Sequence, residues 1–352
     1  MTALGPVPLD RSYARCPACE QGFFPADRLL GLQGWLTARA LRMACHAGVA
    51  DPFRKAERLL SELAGWSVDA DTLRRRCHAQ AAHAAASRAE RTGLLQAFAQ
   101  AAGDYELHLD AGKVNTVEDN WRDVKVAVFA RRERGEPSDA AGLEQRNLPE
   151  PSVRSVVAAV EGREDFGTRV QDEALRLAVP LSAGLSLLGD GAEWIWNLAE
   201  DHFYGAAQLL DVWHGVEKAA GAGRVALGDG EAFQAWLRPA KEKLVGDGYV
   251  GVCEALASLT AVAAARPLAC AAVAAALNYF AGQQGRLGYA VRLRRGQAIG
   301  SGLVEGSIKQ LVNLRMKRTG ARWRVAGVGP FVEFVALADG PEWNEYWLAL
   351  AA

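Results

Sequence analysis

Residues 106–129, ELHLDAGKVNTVEDNWRDVKVAVF, decide the fold. Leu107, Leu109 and Val114, then Val124, Val126, Val128 and Phe129, alternate with polar or small residues, the period of two expected of neighbouring β-strands. A polar segment carrying Pro and Gly, Arg131 to Pro151, precedes the apolar run Val156 to Val160, which reads as a third strand. Residues 162–178 have helical spacing, and Leu185 to Leu188 form a short buried strand that ends at Gly189-Asp190. The order is three strands, a helix, then a fourth strand, and the class is α/β.

Beyond this centre the pattern changes twice. Residues 193–220 alternate again through Trp194, Ile195, Trp196, Leu209 and Leu210, and residues 231 to about 290 read as helix. A last helix is expected from Ser301 or Gly302, with Val304, Ile308, Leu311 and Val312 on one face and Glu305 one position round from it. The tail, rich in Trp and Phe (Trp323, Phe331, Phe334, Trp343, Trp347), is expected to pack back on the domain.

Upstream, residues 1–25 read as a Cys-containing loop or knuckle. Leu29, Leu32, Leu36, Ala40 and Met43 suggest one helix, and Phe53, Ala56, Leu60 and Leu63 a second, ended by Gly65. Ser67 or Asp69 can cap a third, basic helix carrying Arg74, Arg75 and Arg76. Helix, Gly-containing turn and basic helix fit a helix-turn-helix, although a plain helical hairpin fits equally well. The Ala-rich stretch continues as helix to Ala102.

Composition excludes several classes. With 352 residues, 50% of them hydrophobic, and 23% charged, the chain is neither disordered nor strongly polarised overall. No signal peptide is visible, and Arg266 and Pro267 interrupt the Ala255–Leu277 run that would otherwise suggest a membrane span. A cytoplasmic, nucleoid-associated protein is expected. Six scattered cysteines do not make a secreted disulfide framework. The net charge of −1 hides a segregation: Ala255–Val332 carries eleven Lys or Arg and a single acid, Glu305.

Three carboxylates stand where metal chemistry would use them. Asp110 ends Leu107-His108-Leu109, Asp190 ends Leu185 to Gly189, and Glu305 follows Gly300 to Val304. Carboxylate oxygens suit Mg²⁺ or Mn²⁺. A pair of such ions, about 3.5–4 Å apart, can activate a nucleophilic oxygen and stabilise a leaving one in phosphodiester cleavage. Surrounding Lys and Arg would hold phosphates. The plain alternatives are turn residues for the two aspartates and an exposed i,i+4 partner of Lys309 for Glu305.

Six segments carry a family resemblance: LGPVPLDRSYARCPACEQGFFPADRLLGL (4–32), LHLDAGKVNT (107–116), WRDVKVAVF (121–129), LLGDGAEWIWNLAEDHF (187–203), LLDVWHGVEK (209–218) and GQAIGSGLVEGSIKQLVNLRMKRTGARW (296–323). Together they make the chain resemble, nearly end to end, the insertion-sequence transposases of the ISKra type. The resemblance implies a DDE-class DNA transposase that cleaves transposon ends and joins 3′ ends to target DNA. Its core would be RNase H-like, with a helical insertion between the second and third acids. The family's acids fall on Asp110, Asp190 and Glu305, separated by 80 and 115 residues. His214, in the DVWH run, matches a recurrent histidine after the fifth strand, where it would contact phosphate or support the metals; a buried, hydrogen-bonded histidine is the alternative.

The basic run with Arg315, Lys317 and Arg322 matches the family's, and with Arg74, Arg75, Arg76, Lys309 and Arg318 it is assigned to double-stranded DNA. The implied organisation is a knuckle (1–25), a helical DNA-binding domain (26–103), the first part of the core (104–220), a helical insertion (221–295), and the last helix and tail (296–352). A homodimer or higher oligomer is expected, since two ends must be paired. Where the family has Asp-Gly-Thr after the first acid, this chain has Asp110-Ala111-Gly112. Relatives of this kind carry a second cysteine pair upstream of the one matching Cys16 and Cys19, so these two supply half of a four-ligand zinc site. Cys45-His46 and Cys77-His78 are the other candidates, both on expected helices. Two further readings share the residues: a transposase-derived DNA-binding protein with a degenerate site, and an RNase H-like nuclease.

Overall fold

The computed structural model describes residues 1–264 and 266–351. Ala265, within the Ala255–Leu277 run, and Ala352, the last residue of the tail segment, lie outside the described residues. Strands β1 (Asp104–Thr116) and β2 (Asn120–Arg132) form one long antiparallel hairpin, paired from Asp104↔Arg132 to Thr116↔Asn120. Its turn is closed by Thr116 Oγ1, which accepts from Asp119 N at 3.1 Å and donates to Asn120 O at 2.9 Å. Asn120 takes the left-handed conformation that asparagine tolerates.

Strand β3 (Val153–Ala159) adds antiparallel to β2, while β4 (Leu185–Gly189) and β5 (Ala207–Leu210) add parallel on the other side of β1. The result is a five-stranded mixed sheet of order β3-β2-β1-β4-β5. Both faces are covered. Leu107, Leu109, Ala127 and Phe129 enter one core, and Val114, Val124, Val126 and Val128 the other, as alternation along a strand requires.

The helices are α1 (Ala38–Ala50), α2 (Phe53–Ala64), α3 (Ala70–Ala86), α4 (Gly93–Gln100), α5 (Arg163–Arg176), α6 (Glu193–His202), α7 (Val212–Leu227), α8 (Glu231–Ala257), α9 (Pro267–Gly282), α10 (Tyr289–Arg294), α11 (Gly302–Ser307, running on as a π-helix over Ile308–Leu314), α12 (Val325–Ala338) and α13 (Glu342–Ala351). Asp69 caps α3 by accepting from Thr72 N at 2.9 Å. Helices α5 to α9 pack on the first face of the sheet, and α1 to α3 share the second with α11, α12 and α13. The helices of 26–103 therefore do not stand apart; they are built into a core with the tail.

Three local expectations change. The helix expected across Leu29–Met43 begins only at Ala38, because Gly31 and Gly34 adopt positive φ (58° and 75°) and turn the chain into a small hairpin, Leu32–Gln33 with Leu36–Thr37. The Ala-rich helix breaks after Ala86 and resumes at Gly93. Trp194, Ile195 and Trp196 lie on α6, not on a strand: three apolar residues in succession satisfy a helix buried on one side as readily as a strand. Among the described residues no helix is long and apolar enough to cross a membrane; Pro267 starts α9 where the Ala-rich run is interrupted.

Candidate active site

Register aligns the aspartates. In the parallel pair of β1 and β4, Leu109 lies opposite Gly189, so the next residues, Asp110 and Asp190, are level. One strand further, Gly189 lies opposite Leu210, which Asp211 follows. Adjacent strands are about 4.8 Å apart, so three aspartates begin in one row. Asp110 Oδ1 accepts from Ala111 N at 2.6 Å, and Asp190 Oδ1 from Ala192 N at 2.9 Å.

Glu305 reaches this row because α11 lies close against β1. A Cβ on Gly112 would stand 3.0 Å from Ile308 Cγ2 and 3.3 Å from Val312 Cγ1, tighter than ordinary packing. Glycine at this position, two residues past Asp110, is what lets the helix approach. That gives the Asp110-Ala111-Gly112 sequence a physical reason.

Asp211 was not singled out in the sequence, although three apolar runs end alike in LHLD, LLGD and QLLD. Its side chain is fully buried and saturated. Oδ1 accepts from Trp213 N (2.7 Å), His214 N (2.9 Å) and His214 Nδ1 (3.3 Å), and Oδ2 from Ser301 N and Ser301 Oγ (3.1 Å). Ser301 Oγ also lies 3.2 Å from Glu305 Oε1, so its one proton is shared between the two carboxylates. Asp211 thus caps α7, orients His214 and ties down the start of α11. The ligand atoms of Asp211, His214 and Glu305 all lie within 4.8 Å of one another, but the saturated Asp211 has no lone pair to spare and is better read as a support than as a metal ligand.

Asp211→Asn replaces an acceptor oxygen with a donor and leaves at least one of these N–H groups without a partner. A support of this kind is worth roughly 10–100-fold in metal affinity. A right-shift of that size in the Mg²⁺ concentration giving half-maximal activity, with activity recovered at high Mg²⁺, is the expected result. Unchanged Mg²⁺ dependence would remove Asp211 from the site.

The electrostatics are those of crowded carboxylates. Burial, reinforced by Asp190 and Glu305, raises the Asp110 carboxyl to about 6, against the opposing Ala111 N–H. The hydrogen bond to Asp211, aided by the charges of Asp211, Asp190 and Glu305, raises His214 to about 9, so its imidazolium is a cation beside the acids at neutral pH. The signs have a consequence for stability. The folded state holds the Asp110 proton more tightly than the unfolded state, so stability falls as pH rises from about 4 to about 6 and stays lower above. His214 acts oppositely: its contribution is complete below about 6.5 and is lost as pH rises through about 9.

In chelator at pH 7.5, Asp110→Asn is therefore expected to be more stable than the parent by about 1–2 kcal/mol, after allowance for solvent screening. Mg²⁺ should raise the melting temperature of the parent, more at pH 7.5 than at pH 4.5, and have little effect on the variant. Urea and thermal unfolding with and without Mg²⁺ check this; equal stabilities and no Mg²⁺ effect at pH 7.5 would contradict the carboxylate crowding.

The basic residues fall into two groups. Lys309, Lys317 and Arg318 are exposed, as are Arg74 and Arg75, which pair with Asp71 at 2.7 and 3.2 Å; Arg76 is half-buried. Arg315, expected on DNA, is instead interior. Its guanidinium donates to Gly48 O at 2.6 and 3.1 Å and stacks over Phe53, Phe331 and Trp323 at 4.6, 4.8 and 5.5 Å, so it is spent mainly on holding the fold together. Arg322 is exposed but spends donors on Thr116 O and Val117 O at 3.1–3.3 Å.

Cys16 and Cys19 sit at the turn of a small hairpin, Ala14–Arg15 with Gly22–Phe23. Backbone N–H groups of Cys19 and Ala18 point at the Cys16 sulfur and lower its thiol from the usual value, as thiolate ligation would require. Among the described residues no further ligand gathers there. Cys45 and Cys77 are buried side by side in the helical core, where burial and then Cys77 push the Cys45 thiol up. His46 packs on Trp343, and His78 on Trp323 and Phe331. Compared with models of known protein families and with curated proteins, the chain finds no match.

Proposed function

We propose that this chain is a DDE-class DNA transposase, a metal-dependent polynucleotidyl transferase that cleaves transposon-end phosphodiesters and joins 3′ ends to target DNA. The observation that carries the reading is the register of Asp110 and Asp190 on adjacent parallel strands, with Glu305 delivered to them by a helix packed on the first strand. The strand order 3-2-1-4-5, antiparallel among the first three and parallel thereafter, supports an RNase H-like core. Helices α8 to α10, between the fifth strand and α11, then correspond to the helical insertion.

Asp110, Asp190 and Glu305 would hold the metals. Their donor set is all carboxylate oxygen, the kind that hard divalent ions take, and burial, then the charges of Asp190 and Glu305, raise the Asp110 carboxyl that such ions would relieve. When bound, a pair of Mg²⁺ or Mn²⁺ ions supplies an activated oxygen nucleophile and stabilises the leaving oxygen. His214, cationic at neutral pH, stands beside the acids and would offer a charge-assisted hydrogen bond to the scissile phosphate. Asp211 keeps that imidazole in place. Double-stranded DNA would lie along exposed Lys309, Lys317 and Arg318, and paired ends imply at least a dimer.

The purified protein, incubated with duplex DNA carrying the flanks of its own gene, should nick or cut in Mg²⁺ or Mn²⁺, leave 3′ hydroxyl ends and do nothing in chelator. Absence of both binding and metal-dependent cutting would overturn the reading.

A further inference from the structure

Away from the acids, a second site is built where α2 and α3 meet the segment after α11. The strand-like stretch around Trp323 runs beside the end of β1: Trp323 N donates to Asn115 O at 3.0 Å, and Val117 N to Trp323 O at 2.9 Å. Between this stretch and α3 opens a cleft of about 670 Å³, within the range of small-ligand sites. Phe53, His78 and Trp323 line it, and Arg74, Arg318 and Arg324 border it. The rings are packed together, with His78 5.5 Å from Trp323 and 6.3 Å from Phe53, and Arg315 stacks on Phe53 and Trp323.

The lining is cationic and aromatic at once. Arg318 and Arg324 are exposed and, among the described residues, pair with no carboxylate. Of the nearby acids, Asp71 is paired with Arg74 and Glu118 is engaged by Val325 N at 3.1 Å. Burial, then Arg74 and Arg315, hold His78 down at about 4, so its ring is neutral in use. Neutral rings beside the two free guanidinium groups of Arg318 and Arg324 match a planar heterocycle joined to phosphate. A duplex backbone alone would need the arginines but not the aromatic cleft, whereas unstacked bases bind by stacking on aromatic rings with arginine at their phosphates.

We infer that this cleft receives an unstacked nucleotide of single-stranded DNA, its base against the half-buried Phe53 and His78 rings, which Trp323 backs from the core, and its phosphates on Arg318 and Arg324. The inference rests on the DNA-processing reading of the acid site. Thr116, at the cleft, is six residues along β1 from Asp110, about 20 Å at about 3.3 Å per residue. The cleft therefore holds its nucleotide about 20 Å from the acids. It gives the enzyme a grip on a frayed or displaced strand next to the cutting point.

The test compares three probes by fluorescence anisotropy in chelator: a blunt duplex, the same duplex with a four-nucleotide single-stranded extension, and that extension made abasic. The full chain should bind the base-bearing extension about 10-fold more tightly than the abasic one, the scale of base–aromatic stacking. Phe53→Ala should erase that preference while keeping affinity for the blunt duplex, and Arg318→Ala with Arg324→Ala should erase the advantage of the extension over the blunt end. Equal affinity for base-bearing and abasic extensions in the parent overturns the cleft assignment and leaves duplex binding intact. Failure to bind any of the three overturns the DNA reading with it.

Discussion

Asp190→Asn should lose DNA cutting by roughly 10³-fold or more while binding DNA as well as the parent. The side chain keeps its shape and its oxygen acceptor for Ala192 N, so the turn after β4 is preserved. What it loses is a negative oxygen at the point where β1 and β4 present their acids level with each other. Charge stabilisation by a bound metal is worth several kcal/mol at the transition state, and about 1.4 kcal/mol corresponds to tenfold in rate, which sets the magnitude. Binding should not fall, because removing a negative charge beside a phosphate track can only help electrostatic association. High Mg²⁺ should rescue Asp211→Asn and not Asp190→Asn, which separates a group that supports the site from one that holds the ion. Cutting retained within about tenfold by Asp190→Asn would take the aspartate out of the chemistry and leave it as a turn residue after β4.

The elements that set this row were legible because their signals are local. Alternation in 106–129 predicts the β1–β2 hairpin, and apolar runs ended by Asp mark strands β1 and β4. Asp211 ends an apolar run as Asp110 and Asp190 do, but its duty as a cap and anchor depends on Ser301, 90 residues away, which no local pattern shows. Arg315 misled for a related reason. Its neighbours in sequence, Lys317 and Arg318, are exposed, but the π-helical continuation of α11 ends by turning Arg315 onto Gly48 and three aromatic rings contributed by α2, α12 and the segment between α11 and α12. A charge run tells only that some of its members are solvated. Trp194-Ile195-Trp196 shows the limit of periodicity itself, since three residues cannot separate a period of 2 from one of 3.6.

The least legible feature is the one whose loss should cost most stability. Arg88, in the link between α3 and α4, donates to Glu173 of α5 at 2.8 and 2.9 Å, to Glu333 of α12 at 2.8 Å, and to Ser155 Oγ and Val156 O of β3 at 3.0 and 2.8 Å. Arg176 continues the network to Glu173 and to Glu342 at 3.0 Å, and Arg91 reaches Glu342 at 3.1 Å. The partners are up to 251 residues apart, so nothing in the local pattern announces them. They join the N-terminal helices, the sheet edge and the tail. Burial alone would raise the Glu173 carboxyl; Arg88 and Arg176 reverse that and hold it at about 2. Because its folded value is depressed, its contribution is present above about 4.5 and is lost as pH falls toward 2.

Arg88→Ala removes one cation and leaves carboxylates buried, the situation in which breaking a buried pair costs about 3–5 kcal/mol. Arg88→Lys should recover only part, since an ammonium cannot bridge Glu173, Glu333 and Val156 O together. The double change Arg88→Ala with Glu173→Ala should cost less than the sum of the single changes, because the second removes the charge that the first left unpaired. Urea denaturation at pH 7.5 of these three and of Glu173→Ala alone measures each cost. A cost below about 1 kcal/mol for Arg88→Ala, within the range of surface ion pairs, would mean that the hydrophobic cores alone hold the tail to the sheet.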